Sequence, residues 1–305
     1  MPPQHSKRCA KPRPLNGRAV AGTLLSDSGR RRPGPNRASA GGGLGGCARY
    51  SAAMEEIGGE TGPFDPRLGR LRRARAARSG GDAYFLHRRA TDELIERLDL
   101  ARADFSTALV LGPGDPALAG RLRARGIEVE EGEARDLPFA AGRYDLVASV
   151  GLIDTVNDLP GLLVLSRRAL RADGLFVAAF AGAGSLPTLR RALRAAEEAE
   201  SKGAAPRIHP QIDVRAAGDL MLRAGFALPV VDRDVIEVRY PSLAGLIADL
   251  RATGATNQLA GQSAPPFGRA GLAAATAAFA AAADGDGRTA ERFEIIHVSG
   301  WAGPA

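Results

Sequence analysis

Cysteine is nearly absent from this chain, and that excludes several kinds of site. Of its 305 residues, only Cys9 and Cys47 are cysteines. Beyond residue 53 there is therefore no disulfide framework, CxxC pair or thiolate metal centre. The four histidines, His5, His87, His209 and His297, lie far apart in sequence, and no HxxxH-type ligand pair occurs. No run of about 18 apolar residues is present, as a membrane-crossing helix would need. The nearest stretch, Gly271 to Ala283, is short and mostly alanine, and reads as an ordinary helix. No phosphate P-loop or Ser-His-Asp arrangement stands out. Without a signal peptide's apolar core or cysteines in the body, the cytoplasm is the expected location.

Acidic residues are scarce at the N-terminus. Residues 1–53 hold ten Lys/Arg against one acid, Asp27, so they carry +9 of a total formal charge of +7. The rest of the chain is at −2, and shows no nucleic-acid footprint by charge. This segment is also rich in Gly, Pro and Ser, as in Arg30-Arg31-Arg32-Pro33-Gly34-Pro35. Such a composition buries too little apolar surface to offset the entropy of ordering, so disorder is expected. Three readings stand: a flexible basic tail, an organelle-targeting segment, or upstream sequence preceding a true start at Met54. Residues 54–305 are expected to form one folded domain.

That domain alternates strands and helices. Helical spacing is predicted over Arg67–Ala77 and from Tyr84 onwards, with Phe85, Leu86, Ala90, Leu94, Ile95 and Leu98 on one face. Ala108–Leu111 reads as a buried strand. Gly112-Pro113-Gly114-Asp115-Pro116 is a turn, and Ala117–Arg125 a helix. Strands are predicted at Ile127–Glu131, Tyr144–Val150 and Leu175–Phe180, and a helix at Leu159–Leu170. Helices follow at Leu186–Glu200, Val214–Ala224, Ser242–Ala252 and Ala270–Ala282. The remaining strands are Leu228–Val231, Val235–Tyr240 and Phe293–Val298. Repeated alternation argues for an α/β fold with a parallel sheet covered on both faces.

The strand, glycine turn and helix at 108–125, with Leu137-Pro138-Phe139, Tyr144-Asp145-Leu146-Val147 and Asp173-Gly174-Leu175-Phe176, resemble class I S-adenosylmethionine (SAM) dependent methyltransferases with a type 11 core. Phe85-Leu86-His87-Arg88-Arg89, Val156-Asn157-Asp158-Leu159-Pro160, Asp249 to Asn257 and Phe293 to Trp301 resemble a branch that includes a mitochondrial complex I assembly factor described as an arginine hydroxylase. A malonyl-carrier-protein methyltransferase shares the core and is less similar in the C-terminal segments. The resemblance implies a Rossmann-like sheet, mostly parallel, with antiparallel C-terminal strands. It implies SAM as cofactor and a small-molecule or protein acceptor, a respiratory complex subunit among the candidates.

In the family's first motif, glycines let the backbone approach the cofactor. Gly112 and Gly114 match it, whereas Val110 replaces an Asp and Pro116 a third glycine. A ribose-binding carboxylate is expected about 20 residues on, where Glu130 falls. The motif Glu133-Ala134-Arg135-Asp136-Leu137-Pro138-Phe139 then follows at once, so about one strand–helix unit is missing. By resemblance Glu133 contacts adenine, and Ala134 and Ser149 join the cofactor site. Each glutamate also reads as a solvated strand end. Asp154, His209 and Asn257 are the catalytic candidates. Asp154, like Asn157 and Asp158, is equally readable as a helix N-cap, and His209 as an exposed loop residue. By resemblance the helix bearing His87 covers the cofactor, although that helix face also reads as ordinary core. Two functions remain open: an active SAM-dependent enzyme, or a non-catalytic descendant acting as an assembly or binding factor.

Overall fold

The computed structural model describes residues 62–304, apart from 80–81, 102, 113, 137, 202–204 and 262–264. The expectations for the basic N-terminal segment, the boundary at Met54, Pro113 and Leu137 therefore lie outside the described residues.

In chain order the elements are α1 (Pro66–Ser79), α2 (Phe85–Ala101), β1 (Thr107–Leu111), α3 (Leu118–Ala124), β2 (Glu128–Gly132), β3 (Tyr144–Val150), α4 (Leu159–Ala169), β4 (Leu170–Ala181), α5 (Pro187–Glu200), α6 (Val214–Arg223), β5 (Ala227–Tyr240), α7 (Leu243–Ala252), α8 (Arg269–Ala280) and β6 (Thr289–Trp301). They build one six-stranded sheet in the order β2-β1-β3-β4-β6-β5. β1 pairs in parallel with β2 and β3, and β3 with β4. β6 runs antiparallel between β4 and β5.

The expected shortening is visible at the edge. After β2 the chain makes a 3-10 turn, Ala134–Asp136, and returns directly as β3 on the far side of β1. No further strand lies outside β2 among the described residues. Buried residues cluster on both faces of the sheet. Leu109, Leu111, Val147 and Phe176 pack towards α4 and α6. Ala108, Val110, Leu146 and Val177 pack towards α2 and α3. This alternation is the period-two signature of strands covered on both sides.

Two sequence expectations need correction. The segments 228–231 and 235–240 are one continuous strand, because the polar residues between them find partners on α2 and β6. Asp232 takes two bonds from Arg97 (2.7 and 2.9 Å), Asp234 accepts from Arg89 (2.6 Å) and Arg233 reaches Glu294 (3.2 Å). The last strand is also longer than Phe293–Val298, since it pairs with β5 as far back as Thr289. No helix among the described residues is long and apolar enough to cross a membrane.

Candidate functional site

The C-terminal ends of β1, β3 and β4 face the same edge of the sheet, where open parallel α/β sheets place their ligands. At the end of β1, Gly112 has φ +79°, a conformation that favours glycine. A Cβ on Gly112 would lie 2.4 Å from Leu152 Cδ2, and one on Gly114 would lie 1.3 Å from the Val150 carbonyl oxygen. The glycine turn is therefore packed against the chain leaving β3. Asp115 fixes the start of α3: one oxygen accepts from the Ala117 amide (2.9 Å), the other from the Thr91 hydroxyl (2.5 Å).

One strand further along lies a cavity of about 660 Å³, within the range of roughly 300–1,000 Å³ common for small-molecule sites. Leu86, Val150, Phe180, Leu186, Leu189 and Phe293 supply apolar wall, while Arg72, Arg73, His87, Asp154 and His209 supply polar groups. These polar residues come from four separate segments. Arg72 and Arg73 lie on α1, His87 on α2, Asp154 in the 3-10 turn Ile153–Thr155, and His209 in the connection from α5 to α6.

Asp154 and His209 are both buried, and His209 Nε2 lies 3.9 Å from Asp154 Oδ2. That separation is too long for a hydrogen bond. Neither imidazole nitrogen of His209 has a hydrogen-bond partner among the described residues. The same holds for Asp154 Oδ1, His87 Nδ1, Arg72 Nη1 and Arg73 Nε. Buried polar atoms are normally satisfied, so this concentration around one cavity marks it as a place for a polar ligand or for water. Burial lowers the Arg73 pKa, and the carboxylates of Glu133 and Asp154 partly offset that effect.

Burial also holds the His87 imidazole below its ordinary 6.5, with Asp115 and Asp154 pulling the other way. His297, beneath α2, is lowered for the same first reason, with Arg97 adding to it. Both rings thus stay neutral to a lower pH in the folded protein than in the unfolded chain, which takes up protons as pH falls through 6.5. Stability is therefore full above that value and declines as pH drops towards the folded values. Glu291, whose pKa burial raises, contributes with the opposite sign. Urea unfolding at about pH 7.5 and 5.5 checks this. The loss of stability on acidification is expected to shrink in His87→Gln combined with His297→Gln. An undiminished loss refutes the assignment.

The predicted residues do not all converge. Asp154, His209 and Asn257 line the cavity. Asp154 is not a helix cap: Asp158 caps α4 by accepting from the Gly161 amide, and Asn157 clasps the backbone of Phe64 through both its amide atoms. His209 is not an exposed loop residue, because Phe64 packs edge-on against its ring. Asn257 is a latch as well as a lining group, donating to the Pro206 carbonyl and accepting from the Leu259 amide.

Glu130 stands apart from the cavity. Its carboxylate pairs with Arg143 at 2.8 Å, beside Tyr144 at the N-terminal end of β3. Burial and this neighbouring carboxylate push the Tyr144 phenol up to about 12. The carboxylate of Glu133 acts on Arg73, raising its pKa against the effect of burial. Ala134 packs on the apolar layer beneath β1, and the Ser149 hydroxyl, fully buried, donates to the Leu111 carbonyl. Sequence reasoning missed Arg72 and Arg73, which lie in an α1 so rich in arginine that no single one stands out. Among the described residues no cluster of three or more His, Cys, Asp or Glu could hold a metal ion.

A family profile described as a methyltransferase domain matches residues 94–178. A malonyl-(acyl-carrier protein) O-methyltransferase of Laribacter hongkongensis is 30% identical over 262 residues, covering 74% of this chain and 86% of that protein. The corresponding enzyme of Xylella fastidiosa is 34% identical over 171 residues, 56% of each chain. The mitochondrial arginine-hydroxylase NDUFAF5 of Mus musculus is 37% identical over 165 residues, covering 54% of this chain and 48% of its own. Against these last two, the chain spans about half the length of the relative it matches.

Proposed function

This chain belongs to the class I methyltransferase family, and from that premise we propose that it is a SAM-dependent enzyme whose acceptor occupies the cavity beside β3 and β4. One observation carries the reading: the cavity lies at the C-terminal edge of the parallel strands and is bordered by buried polar atoms without partners.

The residues present fit a zwitterionic nucleoside cofactor. Gly112 and Gly151 are partly exposed and leave some backbone accessible at the ends of β1 and β3, whereas Gly114 is buried against the Val150 carbonyl and shapes the turn from within. The unpartnered Oδ1 of Asp154 suits the cofactor's ammonium group, and the half-buried guanidinium of Arg73 its carboxylate. Glu133 and Ala134 remain the candidates for the nucleoside end, with Ser149 supporting β3 from within. Glu130 is assigned no part, since Arg143 occupies it. Bound there, the cofactor would supply a sulfonium methyl group. The protein's contribution is to position the acceptor and exclude water. His209 Nε2, facing Asp154, can hold a proton released by the acceptor, and such pairs often tighten only when a ligand is bound.

The names of the relatives suggest two substrate groups: a malonyl group on a carrier protein, or an arginine side chain. A respiratory complex subunit is the protein substrate that the resemblance to the complex I assembly branch implies. Calorimetric titration of SAM and S-adenosylhomocysteine into the full chain tests the cofactor assignment. Dissociation constants of about 1–100 µM are expected, weakened about tenfold or more by Asp154→Asn and unchanged by Glu130→Gln. Absence of both heat and thermal stabilisation at millimolar ligand would overturn this reading in favour of a protein that acts by binding a partner.

A further inference from the structure

β5 is an edge strand. It pairs with β6 along one side, and no described strand lies along the other. A long edge with unpaired N–H and C=O groups is a template for another strand. The central residues Arg233, Val235 and Glu237 are exposed, Val235 by 48%. Arg233 contacts Glu294 through one guanidinium nitrogen and has further donors to offer. Glu237 has no ionic partner among the described residues.

The strand's sequence is self-complementary about Val235. In an antiparallel pairing of two copies centred there, Val235 meets its own counterpart. Arg233 of each copy then lies opposite Glu237 of the other, so the ion pair forms twice. Pro229 falls opposite Pro241 at both ends. Proline has no N–H to donate, so it bounds a ladder. The two prolines thus delimit one symmetric window. Adjacent registers lose this match: centring on Ile236 sets Arg233 against Arg239, and centring on Asp234 sets Glu237 against Val231. Like charges directly opposite are unfavourable, and opposite charges favourable.

We propose that β5 is the docking edge for a second copy of this chain, paired antiparallel about Val235 into a two-fold dimer with one sheet continuous across both copies. The inference is independent of the cofactor reading. Sedimentation equilibrium of the full chain tests it, with a dimer expected at about 10–100 µM. Glu237→Arg places arginines opposite one another twice and is expected to weaken association about tenfold or more. Adding Arg233→Glu to the same chain reverses both signs and is expected to restore the dimer. Thermal melting confirms that each variant is folded. Should Arg233→Glu fail to fold for want of its Glu294 contact, Glu237→Arg and Val235→Asp decide, both expected to dissociate the dimer. A monomer at 100 µM overturns the proposal. So does a dimer indifferent to Glu237→Arg and Val235→Asp, or a folded double variant that fails to recover.

Discussion

Gly114→Ala is expected to cost about 3 kcal/mol or more of folding stability, read as a lower urea midpoint at unchanged slope. The added methyl would lie 1.3 Å from the Val150 carbonyl oxygen. That obstacle is backbone, in the last residue of a strand hydrogen-bonded on both sides, so it cannot swing away as a side chain would. Either β3 shifts in the sheet or the β1 turn opens, and both movements disturb the edge on which the cavity rests. Gly120→Ala provides the contrast. A Cβ there meets nothing within 4 Å, and alanine is the better helix former by about 1 kcal/mol. If both variants unfold at the same urea concentration, the close approach of the turn to β3 is not a constraint on this fold.

Glu291→Ala is the second large effect expected, about 3 kcal/mol, because one buried carboxylate serves three backbone amides. Its Oε1 accepts from Thr188 and Arg292, both at 3.1 Å, and its Oε2 from Leu189 at 2.7 Å. The helix it serves, α5, begins with Leu186 in the left-handed region and has no side-chain cap of its own. Glu291, about a hundred residues later in the chain, takes the place of that cap. It also sets negative charge against the positive end of the helix dipole. Leu186, Leu189 and Leu193 of this segment line the cavity, so the loss reaches the site as well as the fold. Glu291→Gln retains one acceptor but turns an amide towards amide donors, and is expected to fall between wild type and Glu291→Ala. Equal stability of all three proteins would show that the carboxylate does not hold the helix.

Both sites depend on contacts between distant segments, and the candidate cavity follows the same rule. Asp154 and His209 are 55 positions apart, and what brings them together is a loop tied down by other loops. Asn257 holds Pro206, Gln211 accepts from Arg190 at 2.7 Å, and the Ala183 amide donates to Ile212. None of these bonds has a periodicity or a spacing to betray it. The partner of Glu130 is likewise set by a contact that spacing does not reveal. The distance of Glu130 from the glycine turn suits a ribose carboxylate, but its side chain pairs with Arg143, which precedes β3 on the far side of β1.

The sequence by itself determined the α/β class, the succession of elements and the shortened strand–helix unit. These are written in local periods, in apolar runs set by burial on both faces, and in Glu133 following β2 without room for another strand. It also determined the glycine turn, because a positive φ at Gly112 and the close approach at Gly114 exclude a side chain. The tertiary structure decided which charged groups are satisfied and which remain unpartnered around the cavity. Arginine and glutamate look alike in sequence whether they end in an ion pair or face a ligand. The choice between those fates depends on which strand lies alongside which, and that is fixed only when the sheet closes its order.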